Sequence, residues 1–178
     1  TSDHLVFDGS AEKNGKFTIT GGADRDTLTG GASIDRLTGG GGNDVLKGGR
    51  GGDLLNGGDG NDHFVYASAL DSSSTKYDTI TGFDASHDFI DGVGTITGID
   101  RALSSGALSS GSNFDTQLAK ALTSSHLDAH HAVEFTPNSG SLAGDHFLVV
   151  DMNGQAGYQA NGDLVILLSS PLHMSNLG

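Results

Sequence analysis

Five nine-residue units follow one another without interruption between Gly21 and Val65. Each unit opens with two glycines, carries Asp at its sixth position and has Leu or Phe at its eighth. The units read GGADRDTLT, GGASIDRLT, GGGGNDVLK, GGRGGDLLN and GGDGNDHFV. A tandem period of nine predicts a repeat architecture in which each unit packs against its neighbours in the stack.

Each unit divides into a loop and a strand. Paired glycines reach backbone angles that side chains forbid and let carbonyl oxygens converge, while the Asp adds a charged oxygen ligand, so the loop suits a hard cation. The residues after the Asp, as in Val45-Leu46-Lys47, alternate in polarity and predict a short strand. Stacking would align one apolar side chain from each unit in an internal ladder: Leu28, Leu37, Leu46, Leu55 and Phe64.

This ladder is too narrow to hold the repeat closed, because five side chains bury too little surface to offset the entropy of ordering a glycine-rich segment. Stacking also creates two columns of like charge, which repel without a counter-ion. The columns would contain Asp26, Asp35, Asp44, Asp53 and Asp62. We therefore expect the repeat to be disordered without metal and to fold as metal binds.

The composition agrees with an oxygen-ligated cation and excludes other classes of protein. The formal net charge is −13, and 20 of the 22 acidic residues are Asp, the short carboxylate favoured in turns and tight oxygen cages. There is no Cys, which excludes disulfides and thiolate metal sites. Basic residues are not clustered, so we expect no nucleic-acid partner. No apolar run approaches the ~20 residues of a membrane span.

The regions around the repeat predict a cap and a mixed C-terminal region. Residues 1–20 predict a degenerate capping turn, because Phe17-Thr18-Ile19-Thr20 is strand-like and Phe17 stands where Asp belongs. Residues 66–178 predict a β-rich region. Its predicted elements are a loop or short helix around Ala102, a helix capped by Asn113 from Phe114 to about Ser125, and strands over 132–136, 145–151 and 163–168.

The repeat resembles the calcium-binding nonapeptides of RTX (repeats-in-toxin, hemolysin-type) proteins. The run from Asp62 through Asp71, Asp78-Thr79-Ile80 and Asp88 to Ile90-Asp91 is similar to the segment that follows the last nonapeptide in serralysin-type proteases and alginate epimerase R-modules. LVVDMNGQAGYQANGDLVILL resembles their final hairpin. The resemblance covers residues 21–91 well and 145–168 loosely, and 92–144 matches nothing known to us. It implies a mainly β protein: a right-handed parallel β-roll over 21–65, then a mostly β region with one or two helices.

The resemblance also implies the metal ligands. In the family two nonapeptides form one turn, and each calcium ion lies between two units that are two apart in the sequence. One unit contributes the carbonyls of its second and fourth residues and its Asp side chain. The other unit contributes the carbonyls of its first and third residues and its Asp side chain. The first site would use Gly22, Asp24 and Asp26 with Gly39, Gly41 and Asp44. The second would use Gly31, Ser33 and Asp35 with Gly48, Arg50 and Asp53. The third would use Gly40, Gly42 and Asp44 with Gly57, Asp59 and Asp62.

Three or more calcium ions are therefore expected, and a further site would pair Gly49, Gly51 and Asp53 with Asp71. Asp24 and Ser33 replace the fourth-place glycine, and Asp tolerates left-handed angles better than Ser.

Two other groups of polar residues have alternative interpretations. Asp151, Asn153, Gln155 and Asp163 either ligate another cation or form a hairpin turn around Asn153-Gly154. His126, His130 and His131 have helical spacing near the end of the predicted helix, where they either bind zinc or nickel or form a solvated helix end. No motif for nucleophilic, phosphate-binding or metallohydrolase catalysis is present.

The resemblance implies that the chain is the C-terminal domain of a bacterial exoprotein, secreted by a type I export system and folded by extracellular calcium. A stretch compatible with the C-terminal export signal runs from Leu164 to Gly178. Any catalytic domain of the parent would precede Thr1. Alternatively, the chain is a polysaccharide- or surface-binding module like an R-module, with a stripe formed by Arg25, Arg36, Lys47 and Arg50.

Overall fold

The computed structural model describes residues 3–92, 94 and 96–172. The described residues are mainly β, with one α-helix and a short 3-10 turn over Ala69–Asp71. The strands of the first half are β1 (Val6–Asp8), β2 (Thr18–Thr20), β3 (Thr27–Thr29), β4 (Arg36–Gly41), β5 (Val45–Lys47), β6 (Leu54–Asp59), β7 (His63–Val65), β8 (Asp78–Thr81) and β9 (Phe89–Asp91). The second half contains β10 (Gly98–Ile99), helix α1 (Phe114–Ala121), β11 (His131–Phe135), β12 (His146–Val150) and β13 (Leu164–Leu168).

Successive strands of the repeat alternate between two parallel sheets. One sheet has the order β1-β3-β5-β7-β9, and the other includes β8-β6-β4-β2. Leu28 pairs in register with Leu46, and Leu37 with Leu55, in each case 18 residues apart. Two nonapeptides therefore form one turn of a parallel solenoid, which confirms the predicted β-roll.

The predicted apolar ladder fills the space between the two sheets. Each eighth-position side chain is fully buried, and Tyr66 and Ile80 extend the same core beyond the repeat. At the other end Phe7 and Ile19 pack against it while remaining partly exposed. Strands β1 and β2 pair with β3 and β4, so residues before Gly21 also form part of a roll turn.

The second sheet continues past the roll into the C-terminal region. Strand β13 pairs in parallel with β8 and antiparallel with β12, and β12 then pairs antiparallel with β11. The inner face of these strands joins the roll core through residues such as Leu148 and Ile166. The outer face, including Phe147 and Val165, packs with Phe114 and Leu118 of α1 in a second core. The roll and the C-terminal region therefore share one continuous sheet.

The C-terminal elements differ from the sequence predictions at several points. Helix α1 begins at Phe114 as predicted, but the Asn113 side chain makes no capping hydrogen bond. The helix ends at Ala121 instead of near Ser125, because the Ala121 carbonyl bonds to the His126 ring and the chain turns at Thr123. Ala102 lies outside any helix. The three predicted strands are present within one or two residues of their expected bounds. No helix within the described ranges has the length and hydrophobicity to cross a bilayer.

Candidate metal centre

Because Asp stands at the sixth position of every unit, the stacked turns form two columns of carboxylates that accept backbone hydrogen bonds. The N–H of Asp26 donates to Oδ1 of Asp44 at 2.7 Å, and the N–H of Asp44 donates to Oδ1 of Asp62 at 2.9 Å. In the other column the N–H of Asp35 donates to Oδ1 of Asp53 at 2.7 Å. Oδ1 of each later Asp thus accepts a backbone N–H from the preceding turn of the roll, which leaves its Oδ2 available for another contact.

Both columns extend beyond the nonapeptides. The N–H of Asp53 donates to Oδ1 of Asp78 at 2.8 Å, and the N–H of Asp62 donates to Oδ1 of Asp88 at 3.0 Å. At the opposite end apolar residues stand below the first carboxylates, since Leu5 N–H bonds to Asp26 and Phe17 N–H bonds to Asp35, each at 2.7 Å. One column therefore runs over Asp26, Asp44, Asp62 and Asp88, and the other over Asp35, Asp53 and Asp78.

The second oxygens of four column carboxylates have no protein partner, whereas Oδ2 of Asp88, at the end of its column, accepts the N–H of Asp84 at 2.9 Å. Oδ2 of Asp26 and Asp35 accept the N–H of Gly22 and Gly31. Further along, buried Oδ2 atoms without a hydrogen-bond donor belong to Asp44, Asp53, Asp62 and Asp78. A buried ionised oxygen without a donor is destabilising, and a bound cation would satisfy it. The residues therefore fit the calcium ions that the repeat predicts.

Backbone carbonyls arrive at the same points. A Cβ atom placed on Gly39 would overlap both Oδ2 of Asp44 and the carbonyl oxygen of Gly57. The same crowding occurs at Gly21, between Asp26 and the Gly39 carbonyl, and at Gly30, between Asp35 and the Gly48 carbonyl. These three first-place glycines thus leave cradles in which one Asp oxygen and one carbonyl from the next turn converge. These are the pairs expected in the three predicted sites: Asp26 with Gly39, Asp35 with Gly48, and Asp44 with Gly57.

The other predicted carbonyls lie between adjacent turns. Second-place carbonyls of Gly22, Gly31 and Gly40 point at the second glycine one turn later, where Gly40, Gly49 and Gly58 have φ of +118°, +90° and +105°. Fourth-place carbonyls of Asp24, Ser33 and Gly42 point at Gly42, Gly51 and Gly60. Neither Asp24 nor Ser33 has a positive φ, so Ser33 adds no left-handed strain to the second site. Of the third-place residues, Gly41 pairs with Asp59 across β4 and β6, and Arg50 is exposed before β6.

Burial makes ionised carboxylates costly in the metal-free roll. It raises the pKa of Asp53 to about 7, with the neighbouring charges of Asp35 and Asp71 acting in the same direction. It also raises the pKa of Asp44 and Asp62, again with added repulsion from column neighbours. The predicted repulsion within the columns is therefore present, and a cation would relieve it.

At the C-terminal end of the roll, Asp78 lies one turn above Asp53, at the place where the sequence suggested Asp71. Asp71 is also buried, and its Oδ2 accepts the Ala67 N–H at 2.9 Å. The hydroxyl of Tyr66 is buried without a partner, and burial together with the Asp78 carboxylate raises the pKa of Tyr66. An end site would therefore include Asp78 as well as the predicted Asp53 and Asp71.

The hairpin between β12 and β13 accounts for the polar residues around Asp151. Oδ1 of Asp151 accepts the N–H of Asn153 and Gly154, at 2.9 and 2.7 Å. Oδ1 of Asp163 accepts from Asn153 Nδ2 and its Oδ2 from Gln159 N, at 2.9 and 2.7 Å. The oxygens of these carboxylates accept hydrogen bonds from donors within the hairpin, which favours the hairpin turn over an additional cation.

His131 lies on β11, whereas His126 and His130 lie in turns, so no helix carries the three histidines and their helical spacing was misleading. His131 begins β11, and its Nδ1 lies 2.9 Å from Oδ1 of Asp100. His130 has a φ of +59°, and His126 bonds to the helix end. Asp128 joins Asp100 and His131 in one cluster, but Oδ2 of Asp100 already accepts the Asp128 N–H at 2.7 Å. The hydrogen bonds of Asp100 to Asp128 and His131 thus account for this cluster, and they connect the residue after β10 to the start of β11.

The proposed cationic stripe is wrong for this fold. Arg36 lies on β4 and Lys47 on β5, which belong to the two sheets that face each other across the core. Outward-pointing side chains on facing sheets are directed to opposite sides of the roll. Arg25, Arg36, Lys47 and Arg50 therefore do not form one surface stripe.

Comparisons with known proteins agree with this geometry. The family model described as "Peptidase M10 serralysin C terminal" matches residues 11–165. The match includes residues 92–144, where the sequence had shown no resemblance. A search of curated proteins gave no match.

Among solved structures, the chain is similar to the solution structure of the AlgE6R3 subunit from the Azotobacter vinelandii mannuronan C5-epimerase, with a TM-score of 0.50, 24% identity, and coverage of 90% of this chain and 75% of that chain. At this identity the likeness concerns the fold. The family match extends over most of the sequence and coincides with the Asp columns and glycine cradles. The chain belongs to the serralysin C-terminal family of M10 peptidases and is a calcium-binding β-roll domain.

Proposed function

We propose that this chain is the calcium-dependent folding module of an exported bacterial protein, with ions held between nonapeptides two apart. The observation that carries the proposal is the set of buried, donor-free Oδ2 atoms at Asp44, Asp53 and Asp62. For Asp44 the carbonyl of Gly57 converges on the same cradle, which supports the third predicted site. When bound, calcium would supply the positive charge and the missing coordination that these oxygens require.

The same residues make folding depend on the surroundings. Without calcium, the columns combine repulsion and desolvation with a narrow apolar core, so the unfolded chain is favoured. Extracellular calcium modules bind with Kd of about 10⁻⁴–10⁻³ M. Sites of this affinity would be empty in a calcium-poor cytosol and filled in a calcium-rich exterior. The chain would then cross a type I export system unfolded and fold outside, where the roll stabilises the parent protein.

Metal analysis tests the binding part of this proposal. The full chain is equilibrated with calcium, dialysed against a calcium buffer, and its bound metal is counted by mass spectrometry. We expect three or more calcium ions per chain, with magnesium failing to replace them because of its stricter octahedral geometry. A chain that retains no calcium would overturn the proposal.

The export part concerns the segment from Leu164 to Gly178. Export of the full chain by a calcium-RTX type I system is compared with export of a variant lacking residues 164–178, with cytosolic levels of both measured. We expect the deletion to abolish export while the chain is still synthesised. Undiminished export would show that the signal lies elsewhere.

Binding of a polysaccharide is a second candidate, favoured by the shared fold with a subunit of a mannuronan C5-epimerase. The separation of Arg36 and Lys47 onto opposite sheets removes the single cationic stripe that we expected for an acidic sugar. Titration of the calcium-loaded chain with mannuronan oligosaccharides tests this candidate, and heat release that saturates would support it.

A further inference from the structure

Ser72 lies between the end of an Asp column and the C-terminal strand, and it contacts both. Its side chain is fully buried. The N–H of Asp78 donates to Ser72 Oγ at 2.7 Å, and the Ser72 hydroxyl donates to the carbonyl oxygen of Val165. The N–H of Val165 in turn donates to the Ser72 carbonyl oxygen at 2.9 Å. Ser72 therefore bonds both to the first residue of β8 and to Val165 of β13, which lies 93 positions after it in the sequence.

Asp78 is the last carboxylate of its column, so the Ser72 contacts begin where the candidate metal ligands end. Oδ1 of Asp78 accepts the Asp53 N–H, and its Oδ2 is buried without a partner. A cation that holds the Asp78 carboxylate would therefore also hold its backbone N–H in place against Ser72.

Strand β13 has no exposed edge once it docks. Ile166 pairs with Asp78 on one side and with Leu148 on the other. After the strand, Ser169 N–H bonds to the Ile80 carbonyl at 3.0 Å, and Leu172 N–H bonds to Oε1 of Glu134 at 3.1 Å. The stretch from 164 to 172 is thus hydrogen-bonded to both halves of the fold, and its strand β13 is inaccessible as an extended peptide, although the side chains of 169–171 are exposed.

We propose that Ser72 couples ion binding at the end of the roll to docking of β13, so that calcium removes the C-terminal segment from solution. In the calcium-free chain, β8 is not held and β13 lacks its parallel partner, which leaves residues 164–172 available to a protein that recognises an extended chain. The part of this inference that names the export machinery as that protein rests on the proposed function. The coupling itself concerns only this chain's own hydrogen bonds.

Hydrogen–deuterium exchange on the full chain, with and without millimolar calcium, tests the coupling. In the unmodified chain we expect peptides from the roll and from residues 164–172 to exchange at least tenfold more slowly with calcium, with one common calcium midpoint. Ser72→Ala removes the hydroxyl bridge. We expect the roll to keep its calcium-dependent protection while residues 164–172 lose at least tenfold of theirs.

Ser73→Ala is the matched control, because Ser73 is also buried but its side chain makes no hydrogen bond recorded in the described residues. Because the coupling is reciprocal, we expect Ser72→Ala to raise the calcium midpoint of the roll without abolishing its protection at saturating calcium. If Ser72→Ala abolishes the protection of the roll at saturating calcium while Ser73→Ala does not, the hydroxyl supports the whole fold and the inference is overturned. If the two variants behave alike, or if residues 164–172 are equally protected without calcium, the inference is overturned. If calcium protects neither region of the unmodified chain, the proposed function fails with it.

Discussion

The backbone N–H of Asp53 donates to Oδ1 of Asp78, 25 residues further along the chain. Within the repeat the same bond joins residues 18 apart, as from Asp35 to Asp53. The difference is taken up by the 3-10 turn at Ala69–Asp71 and the loop before β8. The carboxylate columns are therefore a property of the stacked turns and continue where the nonapeptide pattern has ended.

Asp44 is expected to contribute more than other acidic residues, because it belongs to two of the predicted sites. Asp44→Asn keeps the size of the side chain and removes the charge. We expect the calcium concentration at half-maximal folding, followed by circular dichroism, to rise at least tenfold, which corresponds to about 1.4 kcal/mol per site.

Asp59→Asn is the control for Asp44→Asn. Asp59 is exposed, and only its carbonyl is a predicted ligand, which the substitution leaves in place. Its calcium midpoint should stay within about twofold of the unmodified chain after allowance for a lost surface charge. Equal midpoints for Asp44→Asn and Asp59→Asn would show that the column carboxylates do not bind the ion.

Gly39→Ala tests the cradle directly. The added methyl group would overlap Oδ2 of Asp44 and the carbonyl of Gly57, so the two oxygens could not both approach an ion. We expect this variant to remain unfolded at calcium concentrations that fold the unmodified chain. Gly41→Ala is the matched control, since its nearest neighbour would lie at 3.7 Å, an ordinary contact. The idea would be contradicted by a Gly39→Ala chain that folds at the normal calcium midpoint.

The pH dependence follows from the raised pKa of Asp53, about 7 in the fold against an ordinary 3.8. Because the folded state binds this proton more tightly, the stabilisation is complete below about pH 4 and is lost as pH rises through about 7. The metal-free fold should therefore be least stable near neutral pH. The calcium-free unfolded chain keeps the pKa of this carboxyl at its ordinary 3.8, so calcium competes with a proton only in acid. We expect the calcium concentration at half-maximal folding to decrease as the pH is raised from about 3 to about 5, and to change little between about pH 5 and 7.5. A midpoint that does not depend on pH between about 3 and 5 would argue against a carboxylate ligand.

The apolar ladder should remain important even when the ions are bound. Leu46 is fully buried between the sheets and pairs with Leu28. Leu46→Ala should cost about 2–5 kcal/mol of unfolding free energy, and Leu46→Met less than about 1.5 kcal/mol. Urea unfolding in saturating calcium measures both. Equal losses for the two substitutions would mean that the ladder is not a packed core.

The roll was predictable because one local pattern repeats five times and every position has one physical role. The leucine ladder and the two columns follow from that period, whereas the pairing of Asp44 with Gly57 was implied by the resemblance to the RTX family. The continuation through Asp78 and Asp88 was not predictable, since neither lies 18 residues after its partner, and only the pairing of β8 and β9 with the roll identifies it.

The C-terminal region was less accessible from sequence because its elements depend on tertiary contacts. The prediction from the helical spacing of His126 and His130 was wrong because the chain turns at Thr123, so α1 ends before either histidine. The strands around Phe147 and Ile166 were recognisable by their apolar, β-branched residues. Their order was not, since the insertion of β13 between β12 and β8 is set by which faces bury together.

The most direct test of the account is far-ultraviolet circular dichroism of the full chain in millimolar calcium, repeated after addition of excess EDTA and again after calcium is restored. We expect EDTA to abolish most of the β-sheet signal and calcium to restore it. An unchanged spectrum and an unchanged unfolding temperature in EDTA would contradict the conclusion that bound ions hold the roll together.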